Sequence, residues 1–289
     1  MRNHLFTISL EEILAQKKHH SKNSLWYQNF SSKINSDLQR AREKGSLNNT
    51  FTLEEIGEVV FPFYSFGKVD SLNLLNLDEL ITFSIYWSRK NLDRKVYDFG
   101  ANIGLHSIIL AKMGHTVIAF EPDPIHAQVL LNNISLNNLD GKVILEDKAI
   151  GAETGQDIFT RIKNNTTGSH ISGSKDTISG PTDSFKVEIV GINSLLDQPT
   201  FSKMDVEGLE AKILQAISFS NWGRTSILVE IGNKLNAKVI WDVSTKYNLK
   251  VQSQLSNWST VHNESEIPSH YSDGLLFITG GNGEVWGQI

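Results

Sequence analysis

The most informative segment of the chain reads Val96-Tyr97-Asp98-Phe99-Gly100-Ala101-Asn102-Ile103-Gly104-Leu105-His106-Ser107. β-forming residues lead to an aspartate, a glycine-containing turn follows, and apolar residues then recur at helical spacing. In open α/β sheets, a strand, a tight turn and a helix start form the edge where nucleotide-like cofactors bind. The segment therefore predicts a cofactor site that begins at Asp98.

The spacing of the glycines separates two kinds of cofactor. A dinucleotide fingerprint has glycine at its first, third and sixth positions, but counting from Gly100 the last two are Asn102 and Leu105. Asp98 stands two residues before Gly100, where a carboxylate suits a cationic amino group better than a pyrophosphate. The backbone N–H groups of residues 100–104 suit a carboxylate at a helix N-terminus. The segment favours S-adenosylmethionine, and an NAD(P)-dependent oxidoreductase is the alternative.

Composition limits the class of protein. The 289 residues suffice for one large α/β domain with an appendage. A net charge of −5 argues against a nucleic-acid partner, and the lack of cysteine excludes thiolate nucleophiles, cysteine-bound zinc and disulfides. No apolar run approaches the roughly 18 residues of a membrane span, and the N-terminus does not resemble a signal peptide. We expect a cytoplasmic protein without a membrane span.

Strands and helices alternate after Asp98, which predicts an α/β fold with a doubly wound, mostly parallel, Rossmann-like sheet over residues 95–289. Asp123 and Pro124 are typical of a helix start, as N-cap and first helical residue. Ile125, Val129, Leu130 and Ile134 are the predicted buried face of that helix. The further predicted strands are 116–120, 143–145, 201–206, 226–231 and 274–279, with a helix over 209–216.

The flanking segments differ from this pattern. Residues 1–60 are polar and predict a small helical appendage, or else an arm that contacts the substrate or a second copy in a homodimer. Residues 61–94 combine an aromatic lead-in, expected to pack or to line the cleft, with a helix. A hairpin of 157–162 and 185–190 encloses the polar residues 163–184, which are either a lid or a disordered segment.

Acidic residues stand at the ends of the predicted strands: Asp98, Glu121, Asp147, Asp205, Glu207 and Glu230. Ligands of open parallel sheets bind at that edge, so the pattern predicts an acidic cleft for a cation, a metal or a hydroxyl-rich molecule. Glu121 closes the second strand 17 residues after Gly104, where a carboxylate accepts the ribose hydroxyls of a cofactor.

Four segments together resemble the FkbM family of S-adenosylmethionine-dependent methyltransferases: residues 98–104, Phe120-Glu121-Pro122, Lys203-Met204-Asp205-Val206-Glu207-Gly208-Leu209-Glu210 and Val229-Glu230-Ile231. The resemblance covers roughly residues 95–280, and 203–210 is its most specific part. It implies methyl transfer to a hydroxyl of a sugar, glycan or natural product, that is, a small-molecule or glycan acceptor. The chain departs from the family pattern at Asn193, where relatives often carry aspartate.

The site residues follow from the loop and the resemblance together. The predicted cofactor-binding residues are Asp98, Phe99, Gly100, Ala101, Asn102, Gly104, His106, Ser107, Glu121, Pro122, Lys148, Ala149 and Asp205. The predicted catalytic residues are Asp205, as base or base-orienting group, Glu207, and the loop histidine His170 as a second candidate base. His262 is a further candidate base from a late loop.

Two further possibilities stay open. A distant likeness to metal-dependent sugar O-methyltransferases leaves room for Mg²⁺ between Asp205 and Glu230. A non-catalytic binder that kept the fold is the other alternative. A nucleic-acid methyltransferase is disfavoured, because the chain has no Asn-Pro-Pro-Tyr or Asp-Pro-Pro-Tyr element, no cysteine and no basic excess.

Overall fold

A computed structural model describes residues 3–44, 49–65, 70–92, 95–163, 169–171, 181–198 and 200–280. The first elements are β1 (Asn3–Ile8), α1 (Leu10–Ala15), α2 (Leu25–Lys44), β2 (Asn49–Leu53), β3 (Gly57–Val60), α3 (Leu77–Ser88), β4 (Lys95–Phe99), α4 (Leu105–Lys112), β5 (Thr116–Phe120), α5 (Pro124–Leu136) and β6 (Val143–Glu146). They are followed by β7 (Ala149–Gly151), β8 (Gly155–Ile162), β9 (His170–Ile171), β10 (Thr182–Gly191), β11 (Thr200–Met204), α6 (Glu210–Ala216), α7 (Phe219–Trp222), β12 (Thr225–Glu230), α8 (Lys234–Tyr247), β13 (Lys250–Ser253), β14 (Ser259–Thr260) and β15 (Leu275–Thr279).

The central sheet has eight strands in the order β14-β13-β15-β12-β11-β4-β5-β6. Strands β12, β11, β4, β5 and β6 are parallel, and β15 pairs antiparallel with both β12 and β13. This arrangement confirms the predicted mostly parallel α/β sheet. The chain proceeds outward from β4 to β6 and then returns to the other side of β4 as β11. That reversal makes the gap beyond the ends of β4 and β11 the expected ligand crevice.

The helix after β5 begins as predicted, but its buried face differs by one residue. The Asp123 side chain accepts a hydrogen bond from the N–H of Ile125, and Pro124 is the first helical residue. Ile125 was expected to be buried and is 56% exposed. His126, Leu130 and Ile134 form the buried stripe instead, because they recur every four residues on the side that faces the sheet.

A second sheet has the order β7-β10-β8-β9 and contains the predicted hairpin. Strands β8 and β10 pair antiparallel, with Phe159 opposite Phe185. The Arg161 guanidinium in β8 donates two hydrogen bonds of 2.6 Å to the buried Asp123 carboxylate, which fastens this hairpin to the start of α5. The predicted lid or disordered segment lies outside the described residues at 164–168 and 172–180, while its residues His170 and Ile171 form β9.

The first 60 residues are not purely helical, contrary to expectation. Besides α1 and α2 they form a three-stranded sheet of β1, β2 and β3. Its apolar side chains, such as Phe6 and Phe51, join one continuous core with Leu80 of α3 and Ile108 of α4. The aromatic lead-in contributes Phe61, which is fully buried, whereas Phe66 lies outside the described residues. No helix in the described part of the chain has the length and apolar run that a membrane crossing requires.

Candidate active site

The glycine turn after β4 adopts the backbone conformation that its sequence predicts. Gly100, Asn102 and Gly104 have φ angles of 77°, 52° and 87°. The N–H groups of Gly100 and Ala101 both donate to the carbonyl of Phe120, at 3.1 and 2.9 Å. A Cβ atom on Gly100 would overlap the backbone carbonyl of Asp205. Glycine is therefore required at position 100 both for its φ angle and for the close approach of the two strand ends.

Glu121 lies at the end of β5 with a buried carboxylate. Its Oε2 accepts a hydrogen bond from the N–H of Asn102 at 2.7 Å, and its Oε1 accepts one from the N–H of Asp123 at 2.9 Å. Burial raises the pKa of Glu121 to about 7, although these two N–H groups oppose the rise. Each oxygen keeps a second lone pair, so the carboxylate can still accept two hydroxyl groups.

Asp98 lies beneath the turn. Its side chain is fully buried and accepts a hydrogen bond from Ser107 Oγ at 2.6 Å. Asp98 does not line the cavity described next, so its predicted contact with a cofactor ammonium stays a prediction. Its Oδ1 is buried 3.7 Å from the ammonium of Lys203 and has no hydrogen bond to any residue that the structure describes.

Lys203 is a site residue that the sequence interpretation did not single out. Its Nζ donates to the carbonyl of Gly100 at 3.1 Å and lies 3.6 Å from Asp205 Oδ2. Burial lowers the pKa of Lys203, but Asp205 and Asp98 outweigh that effect and raise it above its usual range. Lys203 is therefore a permanent cation between the ends of β4 and β11. The spacing Lys203-x-Asp205 was the available signal, because alternate residues of a strand share a side.

The loop after β11 is held by Glu210 rather than by the predicted site residues. The Glu210 carboxylate accepts hydrogen bonds from the N–H groups of Val206, at 3.0 Å, and Gly208, at 3.1 and 3.0 Å. The strand ends at Met204, two residues earlier than predicted, and Glu207 and Gly208 in the turn that follows adopt φ angles of 57° and 108°. This geometry fixes Asp205 at the carboxyl end of β11.

A first cavity lies over the glycine turn. It is lined by Gly100, Asn102, Phe120, Glu121, Pro122, His126, Ala149, Ile150, Phe159, Ser169, His170, Ile171, Asp205, Val206, Glu207 and Leu209. It thus brings together the predicted cofactor residues Glu121, Pro122, Ala149 and Asp205 with His170 of β9. The other predicted residues Phe99, Ala101, Gly104, Ser107 and Lys148 do not line it. Lys148 instead pairs with Glu146 at 3.1 Å.

A second cavity of about 260 Å³ lies on the other side of Asp205. It is lined by Lys22, Asn76, Asp78, Glu79, Thr82, His106, Lys203, Met204, Asp205, Leu228, Glu230, Ser272, Gly274 and Leu275. Asp205 borders both cavities. His106, predicted to contact the cofactor, lines only the second cavity, where its ring nitrogens lie 2.9 Å from the Tyr86 hydroxyl and 3.0 Å from Glu79 Oε2. His106 faces this way because it lies on the side of α4 that packs against α3.

The segment that brings Lys22 to this cavity is fastened to two distant parts of the chain. The N–H of Ser21 donates to Asn257 Oδ1 at 2.7 Å, and Lys22 pairs with Asp78 at 2.8 Å. Burial lowers the pKa of His20 to about 4, so His20 is neutral and accepts a hydrogen bond from Trp258 Nε1 at 3.0 Å. These contacts make the N-terminal segment part of the cavity wall.

Three further points from the sequence concern a metal ion, His262 and Asn193. Among the described residues, no group of three or more histidine, aspartate or glutamate side chains is arranged to hold a metal ion. His262 is exposed and lines neither cavity. Asn193 donates to the carbonyl of Ala216 at 2.7 Å and accepts from the N–H of Ser218 at 3.0 Å. An aspartate could not make the first of these bonds, so asparagine here serves the link between α6 and α7.

The central part of the chain matches a known protein family. Residues 98–241 match the family model of the Methyltransferase FkbM domain. Similar solved structures include a precorrin-6y C5,15-methyltransferase from Geobacter metallireducens, with 13% identity over 71% of this chain and 89% of that chain and a TM-score of 0.38. An O-methyltransferase from Bacillus cereus in complex with SAH has 12% identity, coverage of 68% and 79%, and a TM-score of 0.37. A search of curated protein sequences finds no significant relative.

Proposed function

We propose that the chain, in which residues 98–241 form an FkbM methyltransferase domain, methylates a hydroxyl group of a small-molecule or glycan acceptor. The FkbM domain makes the chain an S-adenosylmethionine-dependent methyltransferase. The observation that carries the proposal is the position of Asp205 between two cavities. One cavity has the groups that a nucleoside cofactor requires, and the other has room and polar groups for an acceptor.

The residues of the first cavity fit S-adenosylmethionine. Glu121 keeps one lone pair on each carboxylate oxygen for the two ribose hydroxyls. Gly100 and Asn102 of the turn line this cavity next to the N-terminus of α4, where a carboxylate is favoured. The cofactor supplies a methyl group activated on a sulfonium. The protein must therefore bind it, align the acceptor oxygen with the methyl carbon and remove one proton.

The second cavity is the proposed acceptor site. An acceptor oxygen beside Asp205 gains the methyl group and loses its proton to the Asp205 carboxylate, while the electron pair of the broken carbon–sulfur bond stays on sulfur. Lys203, at 3.6 Å from Asp205, holds this carboxylate in place. Glu207 and His170 line the first cavity, so in this proposal they contact the cofactor. Asp205 alone acts as the base that accepts the proton.

The proposal is tested with methyl-labelled S-adenosylmethionine and a panel of hydroxyl compounds. The wild-type protein should transfer label to oxygen and bind S-adenosylhomocysteine far more tightly than NAD. Asp205→Asn should slow transfer by about 10²–10⁴-fold, the range for a positioned acid–base group, with less than about tenfold change in cofactor affinity. Asp242→Asn, at an exposed carboxylate paired with Lys238, is the control. Wild-type turnover by Asp205→Asn, or tight NAD binding, would refute the assignment.

A further inference from the structure

The acceptor cavity carries more negative than positive charge. Its described lining has four carboxylates, Asp78, Glu79, Asp205 and Glu230, and two ammonium groups, Lys22 and Lys203. Both cations are already engaged: Lys22 lies 2.8 Å from Asp78, and Lys203 lies between Asp205 and the buried Asp98, at 3.6 and 3.7 Å. The lysines therefore leave an excess of negative charge in the cavity.

This excess lies on the acceptor side. Asp205 borders the first cavity and can face the positive charge of the cofactor, whereas Glu79 and Glu230 line only the second cavity. Glu79 has the His106 ring at 3.0 Å. The Glu230 carboxylate forms no hydrogen bond or ion pair with any of the described residues, and Glu230 pairs with Leu275 of β15 in the sheet. Burial raises the pKa of Glu230 well above its ordinary value, and the nearby carboxylates of Asp205, Glu79 and Glu207 raise it further. The ammonium of Lys203 opposes this rise without cancelling it.

The strand register places Glu230 beside the reacting position. Met204 pairs with Val229 in parallel strands, so Asp205 and Glu230 are the next residues at two adjacent strand ends, where neighbouring strands lie about 4.8 Å apart. A hydroxyl at Asp205 and a cation at Glu230 would then belong to neighbouring atoms of one small molecule. An acceptor carboxylate or phosphate would instead meet like charge in this cavity.

Resting on the proposed function, we propose that the acceptor is a hydroxyl compound with a protonated amine on a neighbouring carbon, such as an amino sugar, and that Glu230 and Glu79 receive its ammonium group. The ammonium compensates the Glu230 carboxylate, which has no side-chain partner among the described residues, through a charge-assisted hydrogen bond. A divalent cation is the other possible occupant of two adjacent carboxylates, and the experiment below separates it from an ammonium.

The test uses three sugars that share one ring and differ in charge: D-glucosamine, D-glucose and D-glucuronic acid. Each is titrated by calorimetry into the wild-type protein saturated with S-adenosylhomocysteine, at concentrations on the order of 10 mM. We expect D-glucosamine to bind at least about tenfold more tightly than D-glucose, with D-glucuronic acid weakest. Glu230→Gln should remove most of the preference for D-glucosamine, and Asp242→Asn should keep it. Circular dichroism and S-adenosylhomocysteine affinity show that each variant is folded.

Four results would overturn the proposal: equal binding of D-glucosamine and D-glucose, stronger binding of D-glucuronic acid, no binding of D-glucosamine, or an unchanged preference in Glu230→Gln. MgCl₂ is titrated into the wild-type protein as a further measurement. If Mg²⁺ binds with micromolar affinity and competes with D-glucosamine, the carboxylates belong to a metal site. Failure of S-adenosylhomocysteine to bind would refute the proposed function instead, and the preference among the three sugars would still be measurable on the protein alone.

Discussion

The affinity for the cofactor product should depend on pH through a single buried carboxylate. Glu121 has its pKa raised to about 7 by burial, and both of its oxygens have room for a ribose hydroxyl. The ionised form is the better hydrogen-bond acceptor, so binding favours loss of this proton. About one-tenth of the molecules are ionised at pH 6 and about nine-tenths at pH 8. The affinity for S-adenosylhomocysteine should therefore be about tenfold higher at pH 8 than at pH 6.

The same carboxylate should affect folding stability in the opposite direction. A folded-state pKa of about 7, against an ordinary value of 4.5, means that the folded chain holds the proton more tightly than the unfolded chain. The stability of the ligand-free protein should therefore fall as the pH rises from about 4.5 to about 7, by about 3 kcal/mol from this group. Bound S-adenosylhomocysteine should offset the loss, because its hydroxyls stabilise the ionised form.

Calorimetry at pH 6, 7 and 8 and urea denaturation at the same values measure both effects. Glu121→Gln cannot ionise, so it should flatten both pH profiles and weaken binding at pH 8 by about 1–3 kcal/mol, the scale for a lost partner of buried hydroxyls. Asp242→Asn is the control, because its carboxylate is exposed. A wild-type affinity that does not change with pH, or the same pH dependence in Glu121→Gln, would refute the ribose assignment.

Two further predictions concern stability. Gly100→Ala should destabilise the protein far more than Gly141→Ala: both glycines have φ of 77°, which costs about 1–2 kcal/mol for alanine, but only the Cβ at position 100 would meet backbone. Similar urea midpoints for the two variants would contradict the close approach of β4 and β11. Arg161→Met should lower the free energy of unfolding by about 3–5 kcal/mol, because it leaves Asp123 buried without a counter-charge. Lys163→Met, which breaks an exposed pair with Asp183, should lower it by at most about 1 kcal/mol. Equal losses in denaturation experiments would show that the Arg161 pair is no stronger than a surface one.

The residues of the first cavity were predictable because their sequence signals are local. The turn after β4, the carboxylate after β5 and the strand end at Asp205 each depend on a few consecutive residues, and the parallel topology brings them to one edge. Glu121 and Pro122 therefore appear in the first cavity as the sequence indicates. The pairing of Lys203 with two carboxylates was visible only once β4 and β11 were adjacent.

The second cavity, the proposed acceptor site, was not predictable, because its wall comes from segments that are far apart in sequence. Lys22, α3 and residues 272–275 meet there only through long-range packing. His106 was assigned to the cofactor because it follows the glycine turn, yet its position on α4 directs it toward α3. The small sheet of β1, β2 and β3 was missed because strands of four to six residues give little alternation to recognise.

Most of the wall of the proposed acceptor cavity lies outside the family domain, which bears on how the acceptor could change during evolution. Five of the residues that line the acceptor cavity precede the FkbM match at 98–241 and three follow it: Lys22, Asn76, Asp78, Glu79, Thr82, Ser272, Gly274 and Leu275. The two flanks are joined to each other by the bonds from Ser21 to Asn257 and from Gln254 to Asp78, at 2.7 and 2.9 Å. A change of acceptor can therefore arise by replacing both flanks as one unit while the methyl-transfer machinery between them stays the same. Exchanging one flank alone would separate the partners of these bonds and open the cavity.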